Sequence, residues 1–347
     1  MNATHTIKAT ELQTITQRFL VSSGTPQHIA DIVADVLVGA NLTGHDSHGV
    51  LRIPHYLDRV ANGTIQPAAE PEILQETNTT LKIDGQHGFG HYTAQKGMEW
   101  AIQKAKESNV CGVSFINIGH IGRLGQYAEQ AAEAGCIGLI TYGTGRSDRG
   151  GTVPFGGKEG RLGTNPMAAG VPTGDESPFV LDIATSIVAE GKLQVARSKN
   201  QDLPEGYIVD KEGSPSIKTA DFYDGGHLLP FGGHKGYGLS LLICLLGGLC
   251  ANFDSTNSGM GGTFMQVINI DAFMPLAQYQ RNVRAFLDGM KATPPAAGFE
   301  QVLAPGDFEH MLRTQRLSEG IELPNAIYEQ LQDCAERLGI SLGSVDI

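Results

Sequence analysis

Between residues 80 and 142 the chain alternates short β-branched runs with helical segments, and this alternation restricts the fold more than any other feature. Residues 80–84 read as a strand ended by Gly85, 91–108 as a helix, 110–117 as a strand, 126–134 as a helix and 136–142 as a strand. That order belongs to an α/β domain, and on alternation alone the sheet is expected to be parallel. Further on, 179–183 and 263–270 read as strands, and 239–249 and 276–290 as helices. Ahead of the alternation lies a helical module. Leu12, Ile15, Phe19 and Leu20 share one face of a helix stopped by Gly24, and Thr25-Pro26 opens a second helix through Ile29, Ile32, Val33, Val36 and Leu37. A last amphipathic helix runs from Pro324 through Ile327, Leu331 and Leu338. The chain is thus divided into an N-terminal helical, substrate-side region (1–75), a central domain (76–300) and a C-terminal helical segment packing back on the N-terminal region (301–347).

Composition removes several classes of function. A net charge of −12 disfavours nucleic acid and anionic membranes as partners. The longest mostly apolar run, 239–251, is too short to span a bilayer. No signal peptide is visible, and five scattered cysteines without a C-x-x-C pair suggest reduced thiols in a cytoplasmic protein. No metal-ligand spacing occurs. The 45 glycines sit largely in clusters, where tight turns and close backbone approaches are expected.

The chemistry concentrates in Asp46-Ser47-His48-Gly49-Val50-Leu51-Arg52-Ile53-Pro54-His55-Tyr56. His48, Arg52 and Tyr56 are spaced by four, one face of a helix. Pro54 belongs in a first helical turn, so the helix is expected to begin near Arg52 or Ile53 with His48 on the turn before it. His48 can exchange a proton near neutral pH, Arg52 offers a planar fork for a carboxylate, and Tyr56 can donate to a second oxygen. The bland alternative makes His48 and Arg52 surface residues and Ser47 a helix cap.

Other stretches carry chemistry less directly. His120 sits in the glycine loop Gly119-His120-Ile121-Gly122-Arg123, after a strand, where it has little packing role. Asp182 ends a strand and is followed by Ala184-Thr185-Ser186 and a helix through Lys192 and Arg197. This is a sugar-and-phosphate cradle or an acid capping a helix. Gly232-Gly233-His234-Lys235-Gly236 precedes the apolar helix and suits a phosphate, or is a turn packed under it. No G-x-G-x-x-G follows a strand, so the usual dinucleotide fingerprint is absent.

These motifs together resemble the malate/L-lactate dehydrogenase family, the non-Rossmann group that includes ureidoglycolate and sulfolactate dehydrogenases. The resemblance rests on Asp46-Ser47-His48-Gly49 with Arg52 and Tyr56, Leu162-Gly163-Thr164-Asn165-Pro166, Leu181-Asp182-Ile183-Ala184-Thr185-Ser186 with Gly191-Lys192, and Leu228-Leu229-Pro230 through Lys235-Gly236-Tyr237-Gly238. It is collinear and spans nearly the whole chain. It implies α/β architecture with α+β character: a helical N-terminal region and a nicotinamide-binding domain on a mostly antiparallel sheet, which displaces the parallel expectation. It also implies a homodimer with sites near the subunit interface, and hydride transfer between NAD or NADP and a small 2-oxo or 2-hydroxy acid. His48 is then the proton donor and Arg52 the carboxylate anchor, with Ser47 and Tyr56 beside the substrate. His120 competes with His48 for the acid/base role. Cofactor contacts fall on Thr144, Asp182, Ile183, Ala184, Thr185, Ser186, His234, Lys235, Gly306, Asp307 and Phe308. Arg123, a second cation beside His120, and the glycine-rich, basic run 142–146 depart from the family pattern and leave the substrate open. Alternatives are a reductase of a cyclic imine acid such as piperideine-2-carboxylate, and an NADH-binding protein without catalysis.

Overall fold

The structure, a computed structural model, describes residues 4–146, 150–175, 177–250 and 259–340. The extreme ends of the two terminal regions, 1–3 and 341–347, and Ala251 at the end of the apolar run lie outside the described residues.

Strand β1 (Thr4–Ile7) leads into helices α1 (Ala9–Ser22) and α2 (Gln27–Leu42). Two 3-10 turns, Asp46–His48 and Val50–Arg52, feed α3 (Ile53–Ala61), whose first turn holds Pro54 as its ring requires. The alternating region supplies β2 (Glu72–Glu76), β3 (Thr80–Asp84), α4 (Gly90–Ser108), β4 (Val110–Ile116), α5 (Gly125–Glu133) and β5 (Cys136–Arg146). Then come β6 (Met167–Val171), β7 (Phe179–Ile183) and α6 (Glu190–Ser198). A small lobe carries β8 (Ile208–Val209), β9 (Pro215–Ser216), α7 (Thr219–Tyr223) and β10 (His227–Leu228). The chain continues with α8 (His234–Gly247), β11 (Gly259–Asn269), α9 (Leu276–Lys291), α10 (Asp307–Glu319), β12 (Ile321–Pro324) and α11 (Asn325–Leu338).

Among the described residues the main sheet has seven strands in the order β2-β3-β4-β11-β5-β6-β7. The parallel sheet expected from alternation is not found. Only β3 and β4 pair in parallel among these strands, because α4 carries the chain back across the sheet between them. The helix α5 also joins two strands, β4 and β5, yet these are not neighbours. β11 inserts between them and runs antiparallel to both. The mostly antiparallel sheet implied by the family resemblance is the one observed.

Helices cover both faces. On one, α4 and α5 bury Ala94, Met98, Ala101, Ala128 and Ala131 against Leu81, Ile83, Val113 and Phe115. Gly138 of β5 faces that side: a Cβ there would lie 2.5 Å from Ala131 Cβ. Gly143, five residues on, faces the other side, as strand periodicity requires, and a Cβ there would lie 2.8 Å from the α8 backbone at Cys244. A second core joins α1, α2 and α3 to β12 and α11 through Phe19, Leu20, Leu37, Ile53, Ile321 and Leu331. Each such side chain stabilises the fold by about 1.5–3 kcal/mol. β1 pairs with β12 in antiparallel register, His5 opposite Leu323, and Leu331, Cys334 and Ala335 of α11 lie in this second core. No helix of the described residues is long and apolar enough to cross a membrane, and all five cysteines are buried free thiols.

Candidate active site

His48 is placed by a side chain seven residues earlier. Asn41, near the end of α2, accepts the Val50 N–H on Oδ1 (2.9 Å) and donates from Nδ2 to Asp46 (2.7 Å). This clamps both ends of the turn that carries His48. Gly49 is obligatory here, since any Cβ would fall 2.2 Å from Asn41 Oδ1. Arg316 of α10 donates to that same Asp46 oxygen at 2.9 Å and to the other carboxylate oxygen at 3.3 Å. The His48 ring then lies parallel to His120, centroids 5.6 Å apart, with Nδ1 3.1 Å from Ser47 Oγ.

His120 is fixed from below. Tyr56, 1% exposed, brings its hydroxyl to 2.7 Å from His120 Nδ1 and 3.3 Å from Nε2 of His91. His91 is fully buried in the first turn of α4, edge-on to both Tyr56 and His120. Two glycines make room for this stack. A Cβ on Gly90 would strike the His120 carbonyl at 2.5 Å, and one on Gly122 would crowd the His91 ring at 3.1 Å. Nothing in the residue pattern singles out His91: one helical histidine with no spaced partner carries no signal. The small residue before it, Gly90, is the only hint.

Arg52 donates from Nε to the Ser47 carbonyl (2.7 Å), while its terminal nitrogens make no hydrogen bond or ion pair among the described residues. Its charge is felt by the histidines. Burial, then Arg52, pushes His48 down to about 4. Burial, then His48 and Arg52, pushes His120 down to about 3. Burial holds His91 well below its ordinary value and raises the Tyr56 phenol. All three imidazoles are therefore neutral at neutral pH.

The opposite wall comes from β7 and the chain after it. Asp182 accepts the Gly125 N–H at 2.7 Å, so it caps α5 rather than the helix that follows it in sequence. Arg123, only 3% exposed, lies 3.7 Å from Asp182 and is hydrogen-bonded to Glu129 at 2.8 Å. Burial raises the Asp182 carboxyl against the pull of Arg123. The hydroxyls of Thr185 and Ser186 are buried and committed to main-chain carbonyls, those of Thr164 and Asn165 (both 3.0 Å) and of Val188 (2.9 Å).

A cavity of about 480 Å³ runs between the two walls. Ser47, His48 and His120 line one side, and Arg123, Asp182, Ala184, Gly191 and Lys192 the other. Arg52, Tyr56, Ile183, Thr185 and Ser186 are not among the lining residues, and Arg52 adjoins the lining through its bond to the Ser47 carbonyl. Thr144 lies in a neighbouring glycine-rich groove that shares Tyr142 with the cavity. His234 and Lys235 are exposed on the first turn of α8, which begins earlier than the apolar pattern suggested, and are not on the cavity. Gly306 docks on β7 instead, Pro305 accepting the Val180 N–H at 3.1 Å, and Asp307 is 3.4 Å from Lys291. Phe308 is exposed.

Known proteins share this fold. A family model described as malate/L-lactate dehydrogenase matches residues 7–332. A malate dehydrogenase of Pyrococcus horikoshii is 36% identical over 338 residues, 93% of this chain and 92% of that one. The solved malate dehydrogenase of Entamoeba histolytica superposes with a TM-score of 0.91 at 28% identity, covering 99% of this chain and all of that one (100%). The sulfolactate dehydrogenase of Methanocaldococcus jannaschii superposes at 0.89 with 35% identity over 98% of both chains. Fold, site and relatives together define an oxidoreductase that acts on the CH–OH group of a 2-hydroxy acid. More particularly, the chain belongs to the malate/L-lactate dehydrogenase family.

Proposed function

We propose that this enzyme interconverts a small malate- or lactate-like 2-hydroxy acid and its 2-oxo acid, using NAD or NADP, as a cytoplasmic homodimer. One observation carries the reading: a single cavity brings Ser47, His48 and His120 to face Asp182 and Ala184. Its volume lies within the roughly 300–1,000 Å³ of ordinary ligand pockets, room for a three- or four-carbon acid beside a nicotinamide ring.

The residues present suit such a coenzyme. Gly191 leaves open the space that a Cβ would fill, within 4.0 Å of Ser47 Cβ, and Asp182 and Ala184 stand beside it. Lys235 supplies the charge that phosphate oxygens require and His234 a hydrogen-bonding ring beside it, with Gly306, Asp307, Phe308 and Thr144 as further contacts. The coenzyme, when bound, accepts or supplies the hydride. The protein's own part is to hold the acid and move one proton. Arg52 takes the carboxylate, so the carbinol carbon presents one face. His48 and His120, neutral and parallel, flank the oxygen, and one of them exchanges its proton. Leu241, Leu242 and Leu245 of α8, with Leu249 just past its end, form an exposed apolar face, which supports its burial against a second copy.

A panel of 2-hydroxy acids, 2-oxo acids and a cyclic imine acid, assayed with both coenzymes by absorbance of the reduced form, tests the reading. Turnover of a hydroxy acid is expected. Turnover of the imine alone, or coenzyme binding with no turnover of any acid, would overturn it.

A further inference from the structure

His48 and His120 line the same cavity, but their partners differ in one respect that divides their roles. Ser47 Oγ, beside His48 Nδ1, rotates freely between donor and acceptor, so His48 can gain or lose a proton without stranding it. The Tyr56 hydroxyl, beside His120 Nδ1, has a second neighbour in His91 and only one hydrogen to place.

Two arrangements satisfy all three groups. In the first, His91 Nε2–H donates to the Tyr56 oxygen and the Tyr56 O–H donates to His120 Nδ1. In the second both bonds reverse, and His91 must carry its proton on Nδ1. That atom is buried and has no hydrogen-bond partner among the described residues. It also sits in the first turn of α4, where no side chain caps the backbone amides and their positive end repels another N–H. The atom is unpartnered in either state, but a bare nitrogen turns its lone pair toward the positive helix end, whereas an N–H there adds repulsion to the desolvation cost. The first arrangement wins, and it leaves the proton of neutral His120 on Nε2.

We propose that His91 is a positioning residue which, through Tyr56, holds His120 as a neutral Nε2–H donor, so that His120 polarises the reacting oxygen while His48 alone exchanges the proton. In oxidation the hydroxyl O–H bond breaks and its proton passes to Nε2 of His48, whose Nδ1–H donates to Ser47. The carbinol C–H bond breaks as its hydride goes to the coenzyme, and the C=O bond forms. The His120 Nε2–H stays hydrogen-bonded to that oxygen throughout. The division of roles rests on the hydroxy-acid reading of the cavity; the His120 tautomer does not, and can be read without turnover.

The test is nitrogen NMR of the full chain labelled at histidine with ¹⁵N, with His120 assigned from His120→Gln. Wild type and His91→Gln, whose amide keeps a donor toward Tyr56, are expected to show His120 protonated at Nε2. His91→Leu and Tyr56→Phe should show a mixture of tautomers and a kcat lowered about tenfold. His120→Gln, a neutral donor, should retain kcat within about tenfold, while His48→Gln loses on the order of 10²-fold or more. A wild-type His120 protonated at Nδ1, or a His120 tautomer unmoved in both His91→Leu and Tyr56→Phe, would sink the positioning role. Equal losses in the two glutamine variants would sink the division of labour. If His91→Leu does not fold, the wild-type tautomer and Tyr56→Phe still decide. An enzyme inactive on every acid but with His120 locked at Nε2 would refute the function and leave the lock standing.

Discussion

The two walls of the cavity are built on opposite rules. On the histidine wall, side chains bond side chains: His91, Tyr56 and His120 run in series, with His48 and Ser47 alongside. On the Asp182 wall, apart from Arg123 with its two carboxylates, side chains bond the main chain: Asp182 takes the Gly125 N–H, and Thr185 and Ser186 donate to carbonyls. Titratable groups in series can favour one protonation state over another. Side chains tied to backbone can only hold a shape. The proposed proton chemistry therefore falls on one wall, and the other would give the ligand a rigid face to lie against.

The largest effect that would sharpen this contrast is on turnover. His48→Ala should lower kcat by about 10²–10⁴-fold with coenzyme affinity nearly unchanged, because only proton transfer loses its partner. Steady-state kinetics with coenzyme titration checks this; near-normal turnover would move the role to His120. On the other wall the expected loss is in stability. Asp182→Ala removes the α5 cap and leaves Arg123 without one of its two neighbouring carboxylates, and urea unfolding should show a loss of about 3 kcal/mol. A variant that unfolds like wild type but no longer binds coenzyme would make Asp182 a ligand contact first.

Arg52→Lys should cost less. Lysine cannot reproduce the planar fork, so the preference for an acid over its ester, read as a ratio of kcat/KM values, should shrink about tenfold, or about 1.4 kcal/mol. An unchanged ratio would make Arg52 structural and turn attention to Arg123. A similar magnitude governs pH. Burial keeps His91 neutral in the fold, whereas the unfolded chain protonates it below its ordinary value of 6.5. The unfolded state binds the extra proton, so this contribution to stability is intact above pH 6.5. It is lost as pH falls toward the depressed folded value, with a slope of up to about 1.4 kcal/mol per unit. Urea midpoints at pH 7, 6 and 5 should fall more steeply for wild type than for His91→Gln; parallel curves would show that His91 is not held neutral. The smallest effect is at Thr185. Thr185→Val should cost about 1 kcal/mol of stability. A tenfold loss of coenzyme affinity without that destabilisation would put the hydroxyl on the ligand instead.

The sequence was readable where one element decides its own structure. The inward faces of α1 and α2 follow from apolar spacing, and Pro54 set the start of α3 to within a residue. It was unreadable where the partner is distant. Alternation suggests a parallel sheet because local pattern cannot show that β11 slips between β4 and β5. Likewise β1 gives no sign that its partner is β12, at the other end of the described chain. The site divides the same way. His48, Arg52 and Tyr56 stand out because they share one stretch, and His120 because glycines surround it. His91 is silent, since its meaning depends on Tyr56, 35 positions away. Asp182 offered a choice between cradle and cap, but its cap is for a helix 57 residues earlier.

The central position of β11 has a consequence for how the molecule is made. When β5 leaves the ribosome, the edges of β4 and β5 that later flank β11 have no strand to pair with. On the order of ten seconds of translation pass before residues 259–269 emerge to join them. During that interval the nascent chain carries two open strand edges, each a template for pairing with a neighbouring chain. Yield in the cell is then expected to depend on the speed of elongation and on what shields those edges, as well as on how stable the finished enzyme is.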